Sequence, residues 1–281
     1  MNSQTLAFKI RTLITMLTAG SLFTMASAAS AVTLKVSIEN LAPANGTLLT
    51  PLWFGFHNGS FDIYDRDVSL NLFPGTESLV EDGNTGPISA QFDVVGAGTV
   101  QGTILGTGGP NVGPIDMGEI ASSQLLEVDP TLASSRYFSY ASMVIPSNDA
   151  FIANGNPLAH RIFDDLGNFI GADFILLGSN ILDGGTEVND EIPANTAFFG
   201  QATPNTGVDE NGVVTLHGGF NPVGSGGILD DARFVNADFT APGYQVARIR
   251  VELVQVPEPS TIVGLLAIGG AFCLKGRKGV D

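Results

Sequence analysis

The sequence predicts an all-β fold, built as a single antiparallel β-sandwich. Apolar and polar residues alternate with period two in several short runs between residues 32 and 256, and the 3.6-residue spacing of helices is hard to find there. Clusters of Gly, Pro and Asn separate these runs, which is typical of antiparallel sandwiches and barrels. We find neither a repeat of 20 to 50 residues nor a linker, so we expect one domain.

Alternating strands bracket this predicted domain. In "TLKVSIENL" the residues Leu34, Val36 and Ile38 share one face, and "QVARIRVELVQV" repeats the pattern at the other end. Between them we expect further strands in "ISAQFDVV", "RYFSYASMVI", "ADFILL" and "GVVTLHGGF". Turns are predicted in "EDGNTG" and "GTGGPNVGP", and a hairpin at Asn211-Gly212. A short helix is an alternative in "SSQLLEVDPTL" or "DDARFVNADF".

Residues 1–31 have the features of a secretory signal peptide. Lys9 and Arg11 precede an apolar stretch, which ends in the small residues Ala26-Ser27-Ala28. Cleavage after Ala28 or after Ala31 fits equally well.

The predicted domain, residues 32–256, is strongly acidic. It holds 26 of the 28 acidic residues and 7 of the 12 basic residues, which gives a net charge of −19. Such a charge repels nucleic acid and anionic lipid and attracts divalent cations. The single cysteine, Cys273, lies in the tail, so we expect neither a disulfide nor thiol chemistry in the domain.

The C-terminal tail, residues 257–281, begins with Pro257, Glu258 and Pro259. An apolar run of 14 residues follows, shorter than the roughly 20 that cross a bilayer comfortably, and then a basic end. On hydropathy alone a buried terminal helix or a marginal anchor fits as well as a sorting signal. The order of these parts resembles the PEP-CTERM sorting signal of Gram-negative bacteria. The resemblance implies export, processing by an exosortase and a transient membrane contact, with delivery to the outer envelope, cell surface or extracellular matrix.

Two predicted loops carry oxygen side chains that suit a hard cation. "YASMVIPSNDAFIANGN" reads as a strand that ends at Pro146 and is followed by Ser147, Asn148 and Asp149. "ILDGGTEVNDE" reads as a second apolar run that ends at Asp183, with further acids behind it. Calcium takes six to eight oxygen ligands, so the two loops predict a calcium site if they meet in space. Solvated loop residues and Asx turns are the alternative interpretation.

The segments "MVIPSNDAFIA", "DGGTEVNDE" and "YQVARIRVELV", in this order, resemble the motifs of the spondin N-terminal domain family in its bacterial form. "PLWFGFHNGSFDIYD" and "VEDGNTG" extend the likeness over most of residues 33–254. The resemblance implies a β-sandwich related to calcium- and lipid-binding modules, with adhesive members. It also implies metal ligands at Asp149 and Asp183 and a third acid from an upstream strand, which we assign to Glu127, with Asp129 and Glu119 as rivals.

These observations predict an adhesive or structural module that binds calcium and contacts extracellular polysaccharide or a surface protein. The sequence lacks the G-x-S-x-G and H-E-x-x-H motifs, and we predict no catalytic residue. The alternative is a carbohydrate-binding module or a glycan-acting hydrolase. In that case the aromatic residues of "LWFGFHNGSFDIY" would stack on sugars, unless they form a core strand and turn.

Overall fold

A computed structural model of the chain describes residues 31–107, 114–121 and 123–254. The described residues form strands and helices that are predominantly β. The strands are β1 (Val32–Asn40), β2 (Leu48–Leu49), β3 (Leu52–His57), β4 (Gly98–Ile104), β5 (Gln124–Val128), β6 (Tyr137–Ile145), β7 (Ala150–Ala153), β8 (His160–Arg161), β9 (Ala172–Leu177), β10 (Leu182–Asp183), β11 (Thr215–Leu216) and β12 (Gln245–Leu253). The helices are α1 (Thr76–Asp82) and α2 (Gly86–Val95), and four short 3-10 turns join the other elements.

The strands form two sheets in which every pairing is antiparallel. The smaller sheet has the order β5-β1-β12-β9, so the first and last strands of the described chain lie side by side. The larger sheet runs β11-β10-β7-β6-β3-β4, and β2 and β8 also pair with β6. The all-β sandwich that the sequence predicts is confirmed.

The central strands of the larger sheet are buried on both faces. In β3, Phe54 and Phe56 belong to the core between the two sheets, whereas Trp53 belongs to a second cluster that includes Phe92 of α2. Strand β6 alternates in the same way, with Phe138 in the core between the sheets and Ala141 in the second cluster. Because neither face of these strands meets water, their sequences read as nearly continuous apolar runs.

The two helices correct part of the sequence prediction. "ISAQFDVV" was expected to be a strand, but it lies in α2, where Ile88 and Phe92 are buried one helical turn apart. Pro87 in the first turn and Gly96 at the C-cap, in the left-handed conformation, set the limits of this helix. The alternative helix in "SSQLLEVDPTL" is also wrong, because that segment supplies β5.

The predicted strands in "RYFSYASMVI" and "ADFILL" are present as β6 and β9. "GVVTLHGGF" contributes only the two-residue strand β11, which pairs with β10. Asn211 takes the left-handed conformation of a turn, with φ of 58°. The long segment between β10 and β11 means that this turn does not close a tight hairpin.

Both ends of the described chain leave the smaller sheet at the same place. Leu34 of β1 is opposite Leu253 of β12, and the Val254 amide donates to the Thr33 carbonyl over 2.9 Å. The predicted signal peptide, except for Ala31, and the tail lie outside the described residues. Among the residues described, no helix is long and apolar enough to cross a membrane.

Gly55 lets α2 lie close against the larger sheet, because a Cβ atom at this position would lie 2.8 Å from Phe92 Cε2. We expect Gly55→Ala to lower the free energy of unfolding by about 1–3 kcal/mol through overpacking. Gly218→Ala is the matched control, since a Cβ atom there would meet nothing within 4 Å. Urea denaturation of both variants measures the effect, and equal stabilities would contradict this account of the helix contact.

Candidate functional site

The two predicted acidic loops meet at one end of the larger sheet. Asp149 immediately precedes β7, Asp183 ends β10, and the two strands are paired so that Asp183 is opposite Ala150. Strand β6 ends at Ile145, as the sequence predicts, and the short connection to β7 carries Asp149. The pairing of neighbouring strands therefore brings the two aspartates together.

Asp149 is fully buried, with 0% of its surface exposed. Its Oδ2 accepts hydrogen bonds from the Thr186 amide (2.8 Å), the Thr186 hydroxyl (3.1 Å) and the Glu187 amide (3.1 Å). Its Oδ1 is buried and has no hydrogen-bond partner among the residues that the structure describes. Burial, followed by the nearby charge of Asp183, raises the pKa of Asp149 to about 7, despite the three donors. Three donors therefore anchor one carboxylate oxygen, whereas the other is buried with no donor among the described residues.

Asp183 is half-buried, and both of its oxygens accept hydrogen bonds. The Gly185 amide donates to Oδ1 and the Asn189 side-chain amide donates to Oδ2, each over 2.8 Å. These bonds fold the segment after β10 back toward its own strand end. The Asx turn that the alternative interpretation expected is thus present at Asp183.

Two further buried acids adjoin this pair. Glu187 is 2% exposed; its Oε1 accepts from the Gly207 amide over 3.1 Å, and its Oε2 is buried without a partner. Glu81, in the last turn of α1, is 6% exposed. Burial raises the pKa of each to about 7, and the hydroxyl of Thr186 moderates the effect at Glu81.

Sequence reasoning missed the part that Glu81 plays, because "VEDGNTG" reads as a turn cluster. Leu79 and Val80 are apolar and directly precede Glu81 on a short helix. These apolar neighbours were the available signal that Glu81 is buried. Glu187 was noticed only as one of several acids that follow Asp183. Its burial depends on the fold of the long segment between β10 and β11, which no local pattern encodes.

The third predicted ligand, Glu127, lies elsewhere. It is exposed on β5 of the smaller sheet, where the Thr33 hydroxyl donates to it over 2.5 Å. Strand β5 lies near β4, and four strand spacings of about 4.8 Å separate β4 from β10, roughly 19 Å in all. The rival residues are also engaged locally, Asp129 with Thr131 and Glu119 with Thr107.

The described residues contain no group of three or more His, Cys, Asp or Glu side chains arranged to hold a metal ion. The observation that fits a cation is narrower. Asp149 Oδ1 is an unpartnered carboxylate oxygen beside a second aspartate, and a hard cation takes such oxygens together with amide and backbone carbonyl oxygens. The two aspartates are the carboxylates that the pairing of β7 with β10 brings together.

A buried histidine and serine form a hydrogen-bonded pair, but the direction of their hydrogen bonds does not suit a nucleophile and its base. His57 Nδ1 accepts from the Gly59 amide over 3.0 Å, so the proton of the neutral ring lies on Nε2, 2.9 Å from the Ser139 hydroxyl. Burial lowers the pKa of His57 to about 4, which keeps the ring neutral. Nε2 therefore donates to Ser139 and cannot accept its proton, and the Asn154 side chain donates to the same hydroxyl.

The aromatic segment near the start of the domain belongs to the core. Trp53, Phe54, Phe56, Phe61 and Tyr64 are all buried. Sugar stacking on these rings, which the alternative function required, has no exposed surface to use.

Metal-free protein should become less stable as the pH rises from 5 to 8. In the unfolded chain Glu81, Asp149 and Glu187 titrate near pH 4, whereas burial raises each pKa to about 7 in the folded protein. The folded state thus binds more protons between about pH 4 and pH 7, so the free energy of unfolding falls through this window and levels off above it.

Urea denaturation in the presence of a chelator measures this dependence. Glu187→Gln removes one of the titrating groups and should reduce the fall, whereas Glu252→Gln on β12 of the other sheet should leave it unchanged. An unfolding free energy that rises over the same pH range would contradict the protonated, buried state of these acids.

Comparisons with known proteins bear on the tail. A family model described as the PEP-CTERM protein-sorting motif matches residues 255–278, which include Pro257, Glu258 and Pro259. No curated protein matches the sequence. These comparisons give no support to the spondin resemblance. The chain carries a PEP-CTERM sorting motif, which implies exosortase-dependent export to the envelope or surface of a Gram-negative bacterium.

Proposed function

We propose that this protein is a non-enzymatic structural or adhesive module of the cell surface or extracellular matrix, and that it binds calcium at Asp149 and Asp183. The sorting motif supports the location. The acidic strand-end site supports the chemistry. The motif resemblance to spondin N-terminal domains suggested the same two aspartates, and the proposal rests on the geometry of the site.

The observation that carries the calcium proposal is the orphaned Oδ1 of Asp149. A buried carboxylate oxygen without a donor is costly unless it is protonated or coordinated by a cation. Asp183, whose charge acts on Asp149, supplies the second carboxylate. Backbone carbonyl, amide and water oxygens would complete the six to eight ligands that calcium takes.

The surrounding charge favours a cation at this site. Glu187 interacts electrostatically with Asp149 and with Glu81, and the predicted domain has a net charge of −19. Glu127 has no part in this ligand set, because β5 lies too far from β10. Bound calcium would offset the mutual repulsion of the ionised acids. Without a cation, protonation relieves this repulsion.

Bound calcium would act on adhesion through the loops at this end of the sheet. Thr186 and Glu187, whose amides hold Asp149, begin the long segment that leads to β11. Coordination of Asp149 and Asp183 would order this segment, since a ligand that binds only the folded state stabilises it. Calcium could also bridge the acidic surface to an anionic polysaccharide or surface protein.

Calcium should raise the thermal midpoint of residues 32–256. At a calcium concentration of 100 Kd the stabilisation is about 2.7 kcal/mol, which corresponds to roughly 5–10 °C for a domain of this size. Differential scanning calorimetry with calcium and with chelator measures the shift. Asp149→Asn and Asp183→Asn should each abolish it.

Glu127→Gln is the matched control for this experiment, because it removes one carboxylate from the other sheet and should preserve the calcium response. A wild-type midpoint that does not change with calcium would refute the site. Loss of the response in Glu127→Gln alone would instead favour the ligand set predicted from the sequence.

The sorting motif should be required for processing of the tail. In an exosortase-containing host, intact-mass spectrometry should find the exported wild-type protein without its tail. Replacing Pro257, Glu258 and Pro259 with alanine should leave the tail attached, whereas Ser260→Ala should be processed normally. Tail removal in the triple variant would show that another signal directs the cleavage.

A further inference from the structure

A cavity of about 410 Å³ opens beside the acidic site and is separate from Asp149 and Asp183. The connection between β2 and β3, the end of α1 and the segment 197–204 line it. Its volume is within the range of about 300–1,000 Å³ that is usual for small-molecule pockets. The cavity is thus distinct from the acidic site formed by Asp149, Asp183, Glu81 and Glu187. Asp82, which follows Glu81 in the sequence, lines the cavity on the side of that site.

Part of the cavity wall is aliphatic. Met143 and Ile145, on the face of β6 that is turned away from the core between the sheets, are buried in a cluster with Ala197. Phe198 adds a half-buried aromatic ring. Its backbone has φ of 63°, a conformation that bulky residues rarely adopt and that is found preferentially at functional positions. This wall can hold an alkyl chain.

The polar part of the lining has unused hydrogen-bonding capacity. One carboxylate oxygen of Asp82 accepts from the Asn205 amide over 3.1 Å, and the other has no hydrogen bond within the described residues. The Gln201 side chain and the Thr203 hydroxyl also make no hydrogen bond among the residues that the structure describes. Acceptor oxygens are thus available next to an aliphatic wall.

Charge determines which ligand suits this lining. No residue that lines the cavity is basic, and Asp82 is close enough to Glu81 and Glu187 for its charge to act on both. Five of the seven basic residues between 32 and 256 form ion pairs elsewhere: Arg136, Arg161, Arg233, Arg248 and Arg250. Anionic ligands are repelled from such a cavity, and a cation is attracted.

We propose that the cavity binds an aliphatic ammonium group, with the alkyl chain against Met143, Ile145 and Phe198 and the ammonium hydrogen-bonded to Asp82. An ammonium donates three hydrogen bonds and accepts none, which matches a carboxylate flanked by amide and hydroxyl oxygens. The four-carbon side chain of lysine has this combination of apolar stem and charged head. The binding site is distinct from the proposed calcium site.

Isothermal titration calorimetry of residues 32–256 tests this proposal at saturating calcium. N-acetyl-lysine methylamide represents a lysine side chain of a polypeptide, and 1,5-diaminopentane represents a free amine. N-acetyl-norleucine methylamide is the uncharged control of nearly the same shape. We expect the lysine probe to bind at least ten-fold more tightly than the norleucine probe, with an affinity that falls as salt is added.

Three variants locate the bound amine. Asp82→Asn preserves the acceptor for the Asn205 amide and should weaken binding at least ten-fold. Ala202→Phe preserves every charge but narrows the cavity, and it should also weaken binding. Glu127→Gln, which removes one carboxylate from β5 of the other sheet, should leave amine binding unchanged, and circular dichroism verifies the fold of each variant.

The comparison of the two amines identifies the source. Tighter binding of the lysine probe indicates a polypeptide partner, and tighter binding of the diamine indicates a free amine. Absence of binding by both amines, or equal binding of the norleucine probe, would overturn the proposal. Binding that Asp82→Asn spares would show that the ammonium is held away from Asp82 and would likewise overturn the proposal.

Discussion

The burial of β6 on both of its faces is the constraint on which the rest of the structure depends. This strand pairs with β2, β3, β7 and β8. On one face its side chains belong to the core between the sheets. On the other face, Ala141 belongs to the cluster of Trp53, and Met143 and Ile145 belong to the cluster of Ala197. A one-residue shift in register would exchange these faces, so the packing on both sides fixes the register together.

The positions of the candidate sites depend on strand β6. The connection that leaves β6 at Ile145 carries Asp149 into the buried end of the sheet, where the amides of Thr186 and Glu187 hold one of its oxygens. Met143 and Ile145 of the same strand form part of the wall of the neighbouring cavity. The loops of the proposed sites are thereby attached to a strand that is buried on both faces, as is usual when function is carried by segments outside the regular elements.

Period-two patterning predicted the fold class because β1, β9 and β12 have one face in the core and one in water. It failed at α2, where only Ile88 and Phe92 are buried and the helix is too short for a clear 3.6-residue pattern. The helical signals there were the proline and glycine at its ends. Tertiary packing against Trp53 then stabilises a segment whose own sequence is ambiguous.

The candidate site was predictable to the extent that it depends on strand ends. Asp149 and Asp183 each follow an apolar run, and the pairing of β7 with β10 brings them together. Glu127 could not be placed, because strand order in a sheet is a non-local property that its own sequence does not contain. Glu187 and Glu81 are buried by segments distant in sequence, and no local pattern distinguishes a buried acid from a solvated one in a chain with 28 acidic residues.

The adjacent ends of β1 and β12 have a mechanical consequence. The tail continues from β12, which lies between β1 and β9 rather than at an edge of its sheet. Suppose that the domain is held through its larger sheet and the tail is pulled. The force would act along β12 and would load its hydrogen bonds to β1 and β9 in shear. Many of these bonds must then break together, so the strand resists extraction more strongly than an edge strand that peels away one bond at a time.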